Sequence, residues 1–117
     1  MEKSAHTVDH HFVGRQPHVR AIYDGILDAA KQFGVVREEA KKTSIHLSNR
    51  TAFAGVATRK DTLILTLKSA GDISNPRIIK HERVSANRWH LDVRLQSPDQ
   101  IDTELIAWIR TAFELAK

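Results

Sequence analysis

Hydrophobic positions along the chain keep a helical period, switch to an alternating one, and return to the helical period at the end. From Pro17 onward, Val19, Ile22, Tyr23, Ile26, Leu27, Ala30 and Phe33 recur at spacings of three and four. That is one apolar face of an amphipathic helix, opened by a proline suited to a first helical turn. Gly34 stands where a glycine cap is expected. Alternation follows. "VVREEA" is a first candidate strand, and "SIHLS" sets Ile45 and Leu47 against Ser44, His46 and Ser48. Asn49-Arg50 is a tight-turn candidate, because Asn tolerates positive φ. "TAFAGVAT" then completes a hairpin, and its small residues Ala52, Ala54, Gly55 and Ala57 predict close approach by a packed helix. After the turn "RKD", "TLILTLK" places Leu63, Leu65 and Leu67 on one face. "SAGDISNP" is a loop. "RIIKHERV" and "RWHLDVRL" are two further strands, the second with Trp89, Leu91, Val93 and Leu95 on its apolar side.

The helical period resumes at "SPDQ". Ser97 is the expected N-cap, Pro98 the first helical residue and Gln100 the partner in a capping box. Ile101, Leu105, Trp108, Ile109, Ala112 and Phe113 then form an apolar stripe. Burying every such face at once requires an α+β two-layer sandwich. The N- and C-terminal helices lie on one face of a predominantly antiparallel five- or six-stranded sheet. Residues 1–117 form a single domain, with residues 1–15 an N-terminal arm or short helix started by Thr7 and stopped by Gly14.

Composition adds exclusions. The chain has 117 residues, 41% hydrophobic but only 6% aromatic, which predicts an aliphatic core. With no cysteine, disulfides, thiolate nucleophiles and Cys-based zinc sites are excluded. No apolar run approaches the ~20 residues needed to span a bilayer. The opening "MEKSAHTVDHH" has no apolar signal region. A cytoplasmic location is therefore expected, with no membrane association.

Charge changes the picture more. The net charge is +4, but the segment from Arg37 to Arg94 holds 12 Lys or Arg against 6 Asp or Glu, a balance of +6. The ends together hold 6 basic against 8 acidic residues, a balance of −2. Two readings stand: a surface that faces anions, or ordinary solvated charge on exposed strands.

Three segments, "HHFVGRQPHVRAIYDGIL", "KKTSIHLSNRTAFAGVATRKDTLILTL" and "RWHLDVRLQSPDQIDTELIAWIRTAF", together resemble the bacterial domain-of-unknown-function family 5655. The matching positions are His11, Phe12, Gly14, Pro17, Lys42, Thr43, Phe53, Arg59, Lys60 and His90. The resemblance spans nearly the whole chain. It implies a stand-alone version of a domain also found fused to other modules, including nuclease-like ones, and a fold similar to frataxin-like and YdhG-like layouts. It supplies no activity.

Candidate chemistry is sparse. His6, His10, His11 and His18 lie within thirteen residues, but their spacing matches no zinc pattern, and no metal is expected there. An iron-handling acidic ridge would need several carboxylates on the first helix, which offers Asp24 and Asp28. No nucleophile elbow or glycine-rich phosphate loop occurs, so no cofactor is expected. His90 and Asp92 share a strand face and could pair. The leading expectation is a non-enzymatic binding domain for an anionic ligand, nucleotide, nucleic acid or acidic protein partner. The expected contacts are Lys41, Lys42, Thr43, Arg59, Lys60 and His90. The alternative is an enzyme working in a sheet-face cleft near His90. Both a monomer and a homodimer are compatible with the sequence.

Overall fold

The computed structural model describes residues 6–117. The part of the expected arm before residue 6 lies outside the described residues. A single 3₁₀ turn, Asp9–Phe12, leads into helix α1 (Pro17–Lys31). Six strands follow: β1 (Arg37–Ala40), β2 (Ile45–Ser48), β3 (Ala52–Thr58), β4 (Leu63–Ser69), β5 (Ile78–Ser85) and β6 (Arg88–Leu95). A 3₁₀ turn at Pro98–Gln100 precedes helix α2 (Thr103–Leu115). The strands form one sheet in the order β1-β2-β3-β4-β6-β5, and every neighbouring pair is antiparallel. The expected α+β layout of two helices and one antiparallel sheet is the one observed.

The core sits between the helices and one face of the sheet. Ile45, Leu47, Val56, Leu63, Leu65 and Leu95 are fully buried from the sheet side, as are Ile22, Ile26, Leu105 and Ile109 from the helices. Phe113 links the layers by packing edge-on against Phe53, with ring centroids 5.3 Å apart. A register irregularity between Leu47 and Ser48 leaves consecutive residues Phe53 and Ala54 both buried, as a bulge does when it bends a strand.

Several local expectations are corrected. The Ser97–Gln100 capping motif does form, with Ser97 N–H donating to Gln100 Oε1 at 3.2 Å, but it closes the 3₁₀ turn. Helix α2 starts later, at Thr103, capped by Asp102, which accepts from Leu105 N at 3.0 Å. A loop residue distant in sequence assists: the Arg77 guanidinium bonds Asp102 at 2.9 Å and Glu104 at 3.1 Å, donates to the Gln100 carbonyl at 2.7 Å, and lies over Trp108. Trp108 and Trp89 are half-buried rather than central. Helix α1 ends at Lys31, so Gly34 is not its immediate cap. Gly34 has φ +152°, and a Cβ there would lie 2.9 Å from Phe113 Cζ, so it serves clearance for the core aromatic. Among the described residues no non-glycine has positive φ, Asn49 included. The β2–β3 turn is held instead by the Ala116 carbonyl, which accepts from the N–H groups of both Arg50 and Thr51 at 3.1 Å.

Candidate functional site

The sheet face turned away from the helices carries the polar halves of the strands. Pairing sets their neighbours: His46 lies opposite Gly55, Gly55 opposite Thr66, and Thr66 opposite Asp92. One step along, Lys68 lies opposite His90, and His90 opposite Glu82. The small residues of β3 were expected beneath a helix. Ala54 does face the core, but Gly55 and Ala57 face the other way and line a depression. A Cβ on Gly55 would sit 3.9 Å from Thr66 Cβ and 4.0 Å from His46 Cδ2, so the glycine forms a floor between taller walls. The depression has a volume of about 250 Å³ and is walled by His46, Thr66, Lys68 and His90.

Electrostatics at this place are uneven. Burial, and then the nearby Arg88 charge, holds the Lys68 ammonium below its ordinary range. It donates to Thr51 Oγ1 at 3.5 Å. The Thr66 hydroxyl donates to Asp92 Oδ1 at 2.6 Å. Asp92 therefore does not meet His90, whose Nδ1 is 4.0 Å from Glu82 Oε1. Residues two apart in a strand share a face but stand ~6–7 Å apart along it, and each finds a closer partner on a neighbouring strand.

Toward the other end of the same face is a broader, shallower basin. Arg59, Lys60, Lys80 and Arg94 surround it, with Asp61 and Asp92 among them. The open face is thus basic at one end and carries histidines and a lysine around a dent toward the other.

The residues singled out from sequence fall in three places. His90 walls the depression, and Arg59 and Lys60 belong to the basin. Lys41, Lys42 and Thr43 form the β1–β2 turn, exposed and outside both. That turn and the β3–β4 turn lie at the same end of the sheet, about two strand spacings or ~10 Å apart. The N-terminal arm lies across them. His11 Nε2 meets the Lys41 carbonyl at 2.8 Å, Thr58 Oγ1 donates to the His11 carbonyl at 2.6 Å, and Gln16 N–H donates to the Lys60 carbonyl at 2.8 Å. His18 Nε2 meets the Asp61 carbonyl at 2.6 Å. Two histidines of the opening cluster thereby pin the arm and the start of α1 to hairpin tips. Among the described residues no group of three or more His, Cys, Asp or Glu is placed to hold a metal ion. None of the described helices is long and apolar enough to cross a membrane.

Sequence reading did not single out Lys68, Thr66, His46 or Gly55 as site residues. The available signal was Gly55, a glycine in mid-strand where a close approach or a missing side chain is expected.

Comparison with known proteins gives one finding. A family model described as "Domain of unknown function (DUF5655)" matches residues 8–116. No curated protein and no solved structure matches the chain.

Proposed function

Because the chain belongs to the DUF5655 family, whose description assigns no activity, its role has to come from its own surfaces, and we propose that it is a binding module for a small anionic ligand. The ligand, a carboxylate or phosphate group, sits in the depression over Gly55. The observation that carries this reading is the meeting of Lys68, His46 and His90 around a floor with no side chain. An ammonium already partly stripped of water gains more from an incoming anion than a fully hydrated one. The size of the depression, about 250 Å³, suits a small group rather than a large ligand.

Two observations choose among the broader possibilities. All seven aromatic side chains belong to the core or pack against it. The open face therefore offers no Phe, Tyr or Trp ring on which a nucleic-acid base could stack, which favours a small anion over a single strand. The Thr66 hydroxyl in the wall of the depression is donated to Asp92, and His90 has no carboxylate closer than 4.0 Å. That arrangement lacks the base-to-nucleophile contact of a hydrolase and favours binding over catalysis.

The test is isothermal titration with inorganic phosphate, acetate and a nucleoside monophosphate. It is run on the wild type and on Lys68→Met and Gly55→Val. Binding by the wild type that is lost in both variants, with the fold intact by circular dichroism, supports the proposal. No binding of any of the three, or binding that neither variant changes, overturns it.

A further inference from the structure

We infer that the chain associates with a second copy of itself through the outer edge of β5, in an antiparallel register centred on His81. The sheet has two outer strands. β1 has four residues, too few for an extended pairing, whereas β5 has eight, all exposed except Ile78. Along an outer strand every second residue turns its N–H and C=O away from the sheet, ready to pair. Of the four exposed large hydrophobic residues among those described, two are on this strand: Ile79, 48% exposed, and Val84, 52% exposed.

Charges on an edge strand ordinarily block such pairing. Here the charges are arranged so that they block other strands and fit their own copy. Between its two register irregularities β5 runs unbroken from Lys80, opposite Asp92, to Arg83, opposite Trp89. Lys80 and Glu82 point to the open face with Asp92 and His90, while His81 and Arg83 point to the helix side. A two-fold axis normal to the sheet brings open face to open face, so only registers centred on a residue, not between residues, keep both faces matched. Centred on Lys80, that residue meets itself. Centred on Glu82, the carboxylate meets itself. Centred on His81, Lys80 lies opposite Glu82 of the second copy twice over, once on each side of the axis.

Cross-strand pairs of this kind contribute modestly, and one strand pair buries well under the ~1,600 Å² of a standard interface. The association is therefore weak and reversible, and it rises with concentration. It joins two six-stranded sheets edge to edge and sets both open faces on the same side.

Sedimentation velocity over a concentration series tests this on the wild type, Lys80→Glu, Glu82→Lys and the double charge swap. The wild type should shift from monomer to dimer. Each single reversal places like charges opposite one another twice and should raise the dissociation constant about tenfold. The double swap restores opposite charges and should return the constant to near the wild-type value. Thermal melts confirm that every variant is folded. A wild type that stays monomeric throughout, a dimer indifferent to the single reversals, or a double swap as weak as the singles would each overturn the inference.

Discussion

The Tyr23 hydroxyl donates to Glu38 Oε1 at 2.5 Å, and in doing so fastens helix α1 to the outer strand β1. Tyr23 is fully buried, and Glu38 reaches it from the helix-facing side of the sheet. Arg20 lies over Phe12, 4.8 Å from its ring centroid, and Phe12 packs at 5.3 Å from the Tyr23 ring, so the arm is stacked onto the same point.

This contact makes the fold sensitive to alkali. Burial first, and then the bond to Glu38, raises the Tyr23 phenol far above its ordinary value. Below pH ~10 the phenol is neutral in folded and unfolded chains alike. Above that, the unfolded chain loses the proton and the folded chain keeps it, so stability falls as pH rises. Since Tyr23 is the sole tyrosine, ultraviolet titration reports on it alone. Phenolate absorbance should appear together with unfolding, not before it. Tyr23→Phe should remove that alkaline dependence while lowering neutral-pH stability by about 0.5–1.5 kcal/mol, the net value of one hydrogen bond.

Leu105 tests the placement of α2. Its side chain is fully buried in the core beneath the helix. Leu105→Ala should lower the free energy of unfolding by roughly 2–5 kcal/mol in chemical denaturation, through lost burial and a residual cavity. A difference under about 0.5 kcal/mol, typical of surface substitutions, would contradict the observed face.

The basin carries a separate expectation. Arg59, Lys60, Lys80 and Arg94 outnumber Asp61 and Asp92 there. Polyanions should bind weakly, with log affinity falling as log salt rises. Reversing Arg59 and Lys60 to Glu should weaken that binding without unfolding the domain, since both residues are exposed in a turn. Fluorescence anisotropy with single- and double-stranded nucleic acid across a salt series measures it. Binding indifferent to salt and to both reversals would contradict an electrostatic origin.

What the sequence made legible was governed by local period. Leu63, Leu65 and Leu67 alternate because only one face of β4 is buried, so the strand and its orientation follow from the residues alone. The Ser97–Gln100 motif was also read as it forms, but which element it opens was not. The start of α2 depends on Arg77, which reaches Asp102 and Glu104 from 25 and 27 residues away. The depression was hidden for a similar reason. Its walls come from β2, β4 and β6, and its floor from β3. Lys68 meets His90 because β6, not β5, lies beside β4. Strand order is a long-range property that alternation does not encode, so a lone lysine at a strand's end looked like any solvated charge. The turn residues Arg59 and Lys60 stood out because turns are announced locally.

That strand order also dictates a sequence of events as the chain is made. Strands β2, β3 and β4 each emerge from the ribosome beside a finished neighbour, since each pairs with its predecessor. Strand β5 does not: its only partner in the sheet is β6, which is synthesised after it. Until β6 arrives and closes the gap from Leu63–Leu95 to Ser69–Trp89, β5 has two open edges. In that state β5, like β1 before β2 is made, is open to capture by another strand. The Lys-His-Glu-Arg run at its centre therefore serves the growing polypeptide as a gatekeeper before it serves the folded domain.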